Sequence, residues 1–500
     1  MHVTWTVPGV RPGAVGGRRA PGVAGAVWIA VAASLFAAGC GTATRRAPAP
    51  PPAAGFAELA PAEAAFLDSL SRRTFDFFWE RSDAKKGLTP DRWPSESFSS
   101  VAAIGFALTA YPIGAERDWI SRDEARERVM NTMAFLWRAP QGDASAGMTG
   151  HRGFFYHFLD PKTGARFEDV ELSTIDTALL MAGVLFCQSY FDRDDEAGVR
   201  ALAESLYTRV EWSWAQPRPP LISLGWKPAG GFLPYDWRGY NEAMLLMILA
   251  LGSPTHPAEG DVWGAWTEPY RWAEFQGYPH LPFAPLFGHQ YSHVWIDFRG
   301  IRDDWCREKD VDYFENSRRA TLAQRDYAIA NPAGWRGYGA RLWGLTACDG
   351  PVSRKLTIDG VEREFQTYWA RGATAGDIRD DGTVAPTAAG GSIVFAPDLV
   401  VETLMAMRAD WGEPLYGRYG FLDALNPTLR DPIEVQHGKV VPGVGWFDTD
   451  YLGIDQGPIL CMIENQRDGI VWNTMKRNPH VRRGLEAAGF TGGWLEAAPE

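Results

Sequence analysis

Three acidic residues stand directly before or at the start of long apolar segments. The acids are Asp176, Glu242 and Asp455, and the apolar segments behind them are 178–186, 243–251 and 459–463. Each acid alone fits an ordinary helix start, because an acidic side chain in the first turn complements the helix dipole and caps free N–H groups. Helices that are apolar on nearly all sides indicate burial inside an outer ring of helices. If such inner helices begin at a common mouth, the three carboxylates converge.

A pair of converging carboxylates can cleave a glycosidic bond when one is protonated and the other is ionised. The protonated group delivers a proton to the leaving oxygen, while the ionised group activates water or attacks the anomeric carbon. Apolar surroundings raise a carboxyl pKa and a helix N-terminus lowers it. The residues around Glu242 are apolar and aromatic, so we expect Glu242 to be the acid. Asp455 and Asp176 are alternative bases.

Aromatic and polar side chains are frequent in the loops that lead to these acids. The chain contains 22 tryptophans, two of which lie in its first forty residues. Many of the others fit helical stripes and are expected in the core. The remaining set lies in loops or beside the acids and predicts sugar-stacking or sugar-binding groups: Trp226, Trp237, Arg238, Trp295, Trp335, Trp446 and Asp450.

Several large classes of function lack their sequence signatures. Phosphate-binding, dinucleotide-binding, zincin and nucleophile-elbow motifs are absent, and the five cysteines show no metal-ligand spacing. His289 and His293 are four residues apart, but no third ligand accompanies them, so we predict neither a bound metal nor a cofactor. The net charge of −12 disfavours nucleic-acid binding and fits a neutral partner.

Hydrophobic periodicity predicts a mostly helical body. Ten segments have helical patterns: 63–79, 97–111, 121–136, 173–190, 194–212, 241–251, 314–331, 396–408, 455–466 and 480–488. Strand-like alternation is local, and we predict one hairpin from 153–158 and 165–169. Strands and helices do not alternate as a parallel sheet requires. We therefore predict an all-α fold, and a toroid of paired helices, an (α/α)6 barrel, fits the number of helices.

The N-terminal part reads as a targeting segment. Residues 1–40 contain three arginines and no acid, followed by an apolar stretch that ends at Gly39-Cys40. This predicts a signal peptide, and the Ala-Ala-Gly-Cys junction is similar to a bacterial lipobox with Cys40 as the lipidated residue. Cleavage and secretion without lipidation is the alternative. Residues 41–58 predict a Pro/Ala-rich tether, and 59–497 one catalytic domain. We expect a periplasmic or cell-surface protein, lipid-anchored to the outer membrane.

Long ordered segments between about Phe66 and Phe490 resemble the glucoamylase-like (glycoamylase) domain family. They are Tyr240-Asn-Glu-Ala-Met244, 249–257, 285–299, Trp343-Gly-Leu-Thr-Ala-Cys-Asp-Gly350, 381–388 and Ile454-Asp-Gln-Gly-Pro458 with Glu464-Asn465. The resemblance implies an (α/α)6 barrel and inverting hydrolysis of glucans, often β-1,2-linked as in glycoside hydrolase family 144. The matching acids are again Asp176, Glu242 and Asp455. The resemblance further implies that His289, Gln290, Tyr291 and Arg467 line the cleft.

Two other classes of function compete with an exported glucan hydrolase. A non-catalytic, glycan-binding lipoprotein that feeds a transporter would keep the aromatic cleft, but all three matching acids are intact. A helical toroid acting on an isoprenoid would need a DDxxD-like cluster, and Asp303-Asp304 is isolated. The prediction is therefore a monomeric hydrolase of a neutral oligo- or polysaccharide, touching the membrane only through its lipid anchor.

Overall fold

The computed structural model describes residues 59–497 of the chain. The predicted signal peptide with Cys40 and the predicted tether 41–58 lie outside the described residues, and the division into domains stays a prediction. The helices are α1 Pro61–Arg81, α2 Val101–Glu116, α3 Arg122–Arg138, α4 Thr174–Tyr190, α5 Ala197–Thr208, α6 Met244–Gly252, α7 Val262–Thr267, α8 Tyr291–Trp295, α9 Asp304–Lys309, α10 Tyr313–Ala330, α11 Pro386–Gly390, α12 Pro397–Trp411, α13 Gly453–Arg467, α14 Ile470–Met475 and α15 Pro479–Ala487.

The strands are two to five residues long and connect the helices. They are β1 Arg92–Trp93, β2 Ser99–Ser100, β3 Gly150–His151, β4 Phe154–Tyr156, β5 Phe158–Leu159, β6 Leu172–Ser173, β7 Gly225–Lys227, β8 Gly231–Phe232, β9 Ala273–Phe275, β10 Tyr278–His280, β11 Ala347–Cys348, β12 Arg354–Ile358, β13 Val361–Phe365, β14 Trp369–Ala370, β15 Gly372–Thr374, β16 Asp377–Arg379, β17 Tyr416–Gly417, β18 Gly420–Phe421, β19 Leu425–Asn426, β20 Lys439–Val441, β21 Gly445–Phe447 and β22 Tyr451–Leu452.

All ten predicted helical segments contain a helix, so the mostly helical prediction is confirmed. The predicted hairpin forms only next to its turn, where Asp160 N–H donates to the Ala165 carbonyl and Phe167 N–H donates to the Phe158 carbonyl, with an antiparallel bridge between Leu159 and Arg166. The rest of the first segment pairs elsewhere. β4 pairs with β3 and β6 in a five-stranded antiparallel sheet of order β3-β4-β6-β7-β8, and β5 pairs with β2. Alternation within a segment indicates a strand, but the choice of partner depends on contacts that are distant in sequence.

Three inner helices begin immediately after a short strand. β2 leads into α2, β6 into α4 and β22 into α13. Serine caps two of these starts: Ser100 Oγ accepts from the backbone N–H of Ala103, and Ser173 Oγ accepts from that of Asp176. Strand pairing thus fixes the N-terminal ends of the helices that carry Asp176 and Asp455.

Helix α2 lies between α4 and α13 at very short range. Its residues 101–114 are buried, which matches a helix covered on all sides. A methyl group on Gly105 of α2 would overlap the Leu179 carbonyl of α4, and one on Gly183 of α4 would overlap the Gly105 carbonyl. A methyl group on Gly457 of α13 would overlap the ring of Phe106. We call these three glycines the glycine seam, and it sets the spacing of α4 and α13 on α2.

Most of the buried apolar side chains form one continuous core, and two smaller clusters lie under the loops between α10 and α13. Among the helices in this part of the chain, none combines the length and apolarity that crossing a bilayer requires.

Candidate functional site

The first part of the site lies at the start of α4. Asp176 is the third residue of the helix and is 4% exposed. Its Oδ2 accepts a short hydrogen bond from Ser173 Oγ and lies 3.6 Å from His157 Nε2. The other imidazole nitrogen of His157, Nδ1, is 2.9 Å from Glu171 Oε1. The imidazole therefore bridges two carboxylates.

This bridge governs the charges on that side of the site. Burial disfavours the charged imidazole, but the charges of Asp176 and Glu171 outweigh it and raise the pKa of His157 to about 9. Burial likewise opposes ionisation of Glu171, yet the hydrogen bond and charge of His157 lower its pKa to about 2. Burial raises the pKa of Asp176, and the His157 cation works against that rise. At neutral pH the arrangement places a cationic imidazole between the Glu171 carboxylate and the Asp176 carboxyl group.

Glu242 lies just before α6, whose N-cap is Ala243, so the predicted helix start at 241 is three residues early. The side chain is 8% exposed, and its Oε2 is buried without a hydrogen-bond partner among the described residues. Burial, with a smaller contribution from the Asp176 charge, raises the pKa of Glu242 to about 7. A carboxyl group that is largely protonated near neutral pH can act as a general acid.

Asp455 is the third residue of α13 rather than its N-cap, which is Leu452. It is 4% exposed, and its Oδ2 has no hydrogen-bond partner within residues 59–497. Burial raises its pKa to about 7, in a neighbourhood that also holds Asp423 and Asp349. Asp455 and Asp176 both occupy the first turn of a helix, as the structural interpretation expects, and their catalytic role stays a prediction.

Tyr291 connects the two acidic regions. Its pKa is raised well above the usual range by burial and by the charges of Asp455, Glu242 and Asp176. The charges of all three predicted acids therefore act on one hydroxyl group, and the convergence of the acids on a single substrate stays a prediction. Tyr291 is the first residue of α8, and its ring packs 5.3 Å from that of Phe287.

Three other predicted binding residues lie close to these acids. Trp226 is half-buried on β7, paired with Leu172 of the strand that enters α4. Trp237 donates its indole N–H to Thr174 Oγ1 at 2.9 Å and so braces the first residue of α4. Asp450 accepts from the backbone N–H of Ser95 at 2.9 Å and lies 4.0 Å from the Arg92 guanidinium. Their contact with a substrate stays a prediction.

Three predicted sugar-stacking tryptophans are buried in the protein, which contradicts the prediction that their rings contact a substrate. Trp295 and Trp446 are fully buried, and their indole N–H groups donate to Thr109 Oγ1 and the His437 carbonyl. The Arg363 guanidinium lies over the indole ring of Trp335, and the backbone of Gly382 packs directly against the same ring system. None of these rings has a free face for a sugar.

His289 and Gln290 are also enclosed. His289 is fully buried with Nε2 3.2 Å from the Phe283 carbonyl, and burial lowers its pKa well below the usual range. The Gln290 amide donates to the Ala388 carbonyl and to Ser392 Oγ. Both side chains hold the backbone segment that leads to Tyr291 by these hydrogen bonds. The prediction that they contact the substrate directly is wrong.

The two arginines predicted to bind the substrate, Arg467 and Arg238, lie in different parts of the structure. Arg467 is the last residue of α13, twelve residues after Asp455, which is about 18 Å along a helix, so the prediction that it lines the cleft is wrong. It pairs there with Asp68 at 2.6 Å. Arg238 is exposed and forms an ion pair with Glu268, and its role in binding stays a prediction.

Sequence reasoning missed most of the supporting acidic groups. No sequence motif marks His157, Glu171 or Asp91. Asp349 lies in the Trp343–Gly350 segment that carries the family resemblance, but nothing in that segment predicts an acidic cluster. Tyr368 was also missed: partial burial and the charges of Asp349 and Asp455 raise its pKa, while 39% of the residue remains exposed. It is an aromatic side chain at the rim of the acidic region.

Comparison with known proteins gives a consistent result. Residues 234–479 match the family Glycoamylase, described as "Putative glucoamylase". An exo β-1,2-glucooligosaccharide sophorohydrolase (non-reducing end) of Parabacteroides distasonis is 27% identical over 457 residues, covering 84% of this chain. This chain spans 57% of the length of that curated relative.

Two solved structures are similar in both fold and sequence. An endo-β-1,2-glucanase of Chitinophaga pinensis, solved with sophorotriose and glucose, has a TM-score of 0.74 and 26% identity, covering 87% of this chain and 100% of its own. A β-1,2-glucanase of Parabacteroides distasonis has a TM-score of 0.71 and 25% identity, covering 85% of this chain and 60% of its own. The family match and these relatives confirm the resemblance of this chain to the glucoamylase-like domain family.

Proposed function

We propose that this protein is a glycoside hydrolase that cleaves β-1,2-linked glucan by acid/base catalysis with inversion. The observation that carries the proposal is that Glu242, Asp176 and Asp455 are each buried at or just before a helix start and that the charges of all three act on Tyr291. The β-1,2 linkage comes from the relatives, which act on such glucans by name.

Glu242 is the general acid in this proposal. Its pKa of about 7 leaves a large protonated fraction near neutral pH, so it can protonate the departing glycosidic oxygen. The unpartnered Oε2 is available for that transfer, because no described protein group occupies it.

Asp455 is the base, and Asp176 supports the acid. Burial raises the pKa of Asp455 to about 7 as well, so the pKa values do not separate the base from the acid. The assignment of Asp455 as the base rests on Oδ2, which is buried and accepts from no donor group among residues 59–497. Asp176 Oδ2 is already engaged by Ser173 and His157. The Asp176 charge instead helps to keep Glu242 protonated.

The remaining parts of the proposal rest on the sequence. The (α/α)6 barrel is supported by the ten predicted helices and by the common end at which α2, α4 and α13 begin. Export, a lipid anchor at Cys40, a periplasmic or cell-surface location and a monomeric state rest on residues 1–58 and on composition.

A glucan panel tests the activity. The purified full-length chain is incubated with β-1,2-, β-1,3- and α-linked glucans, and reducing ends, product lengths and the first-formed anomer are measured. We expect release from the β-1,2-glucan with the α-anomer formed first, and none from a parallel Glu242→Gln preparation. Binding of a glucan without release would instead establish the glycan-binding lipoprotein.

A further inference from the structure

Three buried aspartates from three separate loops meet beside Asp455. Asp349 follows β11, Asp423 lies between β18 and β19, and Asp448 follows β21. Each offers one carboxylate oxygen, and these three oxygens lie within 4.8 Å of one another. The residues are 1%, 2% and 1% exposed. Bulk water therefore does not balance their charge.

In Asp423 and Asp448, one carboxylate oxygen accepts a backbone hydrogen bond and the other oxygen meets no donor group. Asp423 Oδ2 accepts from the backbone N–H of Asp349 at 2.7 Å, and Asp448 Oδ1 accepts from that of Asp450 at 3.1 Å. The second oxygen of Asp448, Oδ2, is buried without a hydrogen-bond partner among the described residues. Asp423 Oδ1 likewise meets no donor group, and the Asp423 carboxyl lies against that of Asp455. Buried carboxylate oxygens without a donor are costly, so a cation bound between them would stabilise this trio.

The surrounding charges do not compensate the trio. Asp91, Asp450 and Asp455 add further carboxylates, while the described cation in contact is Arg92, whose Nη1 donates to Asp349 Oδ2 at 2.5 Å. The buried Arg371 nearby is paired with Asp381 at 2.7 Å. His157 acts on Asp91 from the α4 side, so these six acids still outnumber the cations that face them in a region of low dielectric constant.

The donor atoms point to a hard cation. All the free donors of the trio are carboxylate oxygens, which Ca²⁺ and Mg²⁺ prefer. An ion placed equally between three oxygens no more than 4.8 Å apart is about 2.8 Å or less from each, which reaches the 2.3–2.6 Å of Ca²⁺ coordination. Mg²⁺ needs about 2.1 Å and a stricter octahedron.

We propose that Asp349, Asp423 and Asp448 form a calcium site that ties together the three loops before α13. The site departs from the expectation that the protein binds no metal, because residues 74 and 25 positions apart show no ligand spacing in the sequence. Its cation holds the loop between β21 and β22, seven residues ahead of Asp455. The inference is independent of the proposed glucanase activity.

The test uses the full-length chain and calcium itself as the probe. After treatment with a chelator and its removal, metal content, thermal unfolding and Tb³⁺ luminescence are measured with and without Ca²⁺ or Mg²⁺. We expect one equivalent of bound Ca²⁺ and a rise of several degrees in Tm, with a much smaller rise for Mg²⁺. Asp423→Asn and Asp448→Asn are expected to bind Ca²⁺ at least tenfold more weakly.

A buried aspartate elsewhere controls for general loss of stability. Asp303 is 1% exposed, caps α9 and accepts from Trp263 Nε1 and from the Tyr313 hydroxyl at 2.9 Å. Asp303→Asn should lower Tm but keep the full response to Ca²⁺. The proposal is overturned if the unmodified chain binds no Ca²⁺ and keeps its Tm after chelation, or if Asp448→Asn responds as the unmodified chain does.

Discussion

The acids at the start of α4 and the acids before α13 solve the same physical problem differently. Around α4, His157 lies between Glu171 and Asp176, so a protein cation balances the carboxylates. Before α13, Arg92 faces several carboxylates, and free oxygens remain on Asp423, Asp448 and Asp455. The first region is electrostatically complete within the described protein, and the second is built to receive protons, water or a cation. The predictions below test this contrast.

The largest effect is expected for Glu242→Gln. Glutamine keeps the shape of the side chain but cannot donate the acid proton, so kcat should fall by about 10³, within the usual range for loss of a general acid. KM should change little. Steady-state kinetics on β-1,2-glucan measure this, and Glu127→Gln, at an exposed position of α3, is the control that should keep normal kcat. Retention of a tenth of the activity by Glu242→Gln would refute the assignment.

Asp455→Asn tests the second region. Loss of the free carboxylate oxygen removes the base, and kcat should fall by about 10² or more. Circular dichroism and thermal unfolding check that the variant is folded. A variant with nearly normal kcat would move the base to another residue, with Asp176 as the alternative.

Asp176→Asn should alter the pH profile. Glu242 acts when protonated, and its pKa is raised to about 7, so activity should fall as pH rises through about 7. Removing the like charge of Asp176 lowers the pKa of Glu242, which moves this alkaline limb to lower pH. Burial raises the pKa of Glu242 more than the Asp176 charge does, so most of the pKa rise should remain in the variant and the alkaline limb should move only part of the way down. A limb that stays in place or moves to higher pH would contradict the coupling.

The smallest effect concerns stability. His157 has a pKa of about 9 in the folded protein against an ordinary value of 6.5, so its contribution is complete below pH 6.5 and is lost as pH rises through 9. His157→Gln should remove on the order of 2 kcal/mol of unfolding free energy at pH 6 and much less at pH 10. Denaturant unfolding at both pH values measures it.

An exposed histidine provides the matched control for that measurement. His256 lies on the surface, and His256→Gln should leave unfolding free energy unchanged at both pH values. If His157→Gln loses the same free energy at pH 6 and pH 10, the imidazole acts by packing and not by its charge.

The site was predictable where its signals are local. The positions of Asp176 and Asp455 at helix starts could be predicted, because an acidic first turn followed by an apolar segment is a short-range sequence feature. A serine cap adds to this signal at Asp176. The burial of Trp295 depends instead on its packing against Phe106 of α2, 189 residues earlier, at a ring distance of 5.0 Å. No pattern within either segment reveals that contact.

The same limit explains the missed acidic trio. Asp349, Asp423 and Asp448 approach one another only because three loops fold together, and each loop alone reads as an ordinary turn. The helical fold class followed from periodicity, but the five-stranded sheet did not, since its strands are two or three residues long and its central pairing joins Leu172 to Trp226, far apart in the sequence.

The glycine seam also determines which parts of this protein can be redesigned. Any side chain introduced at Gly105, Gly183 or Gly457 would push two helix backbones apart and displace Asp176 or Asp455 with them. A directed-evolution library aimed at a new glucan should therefore keep these three codons fixed. The exposed residues Tyr235 and Arg238 and the rim around Tyr368 can be randomised, because none of them packs against the helices that carry the acids.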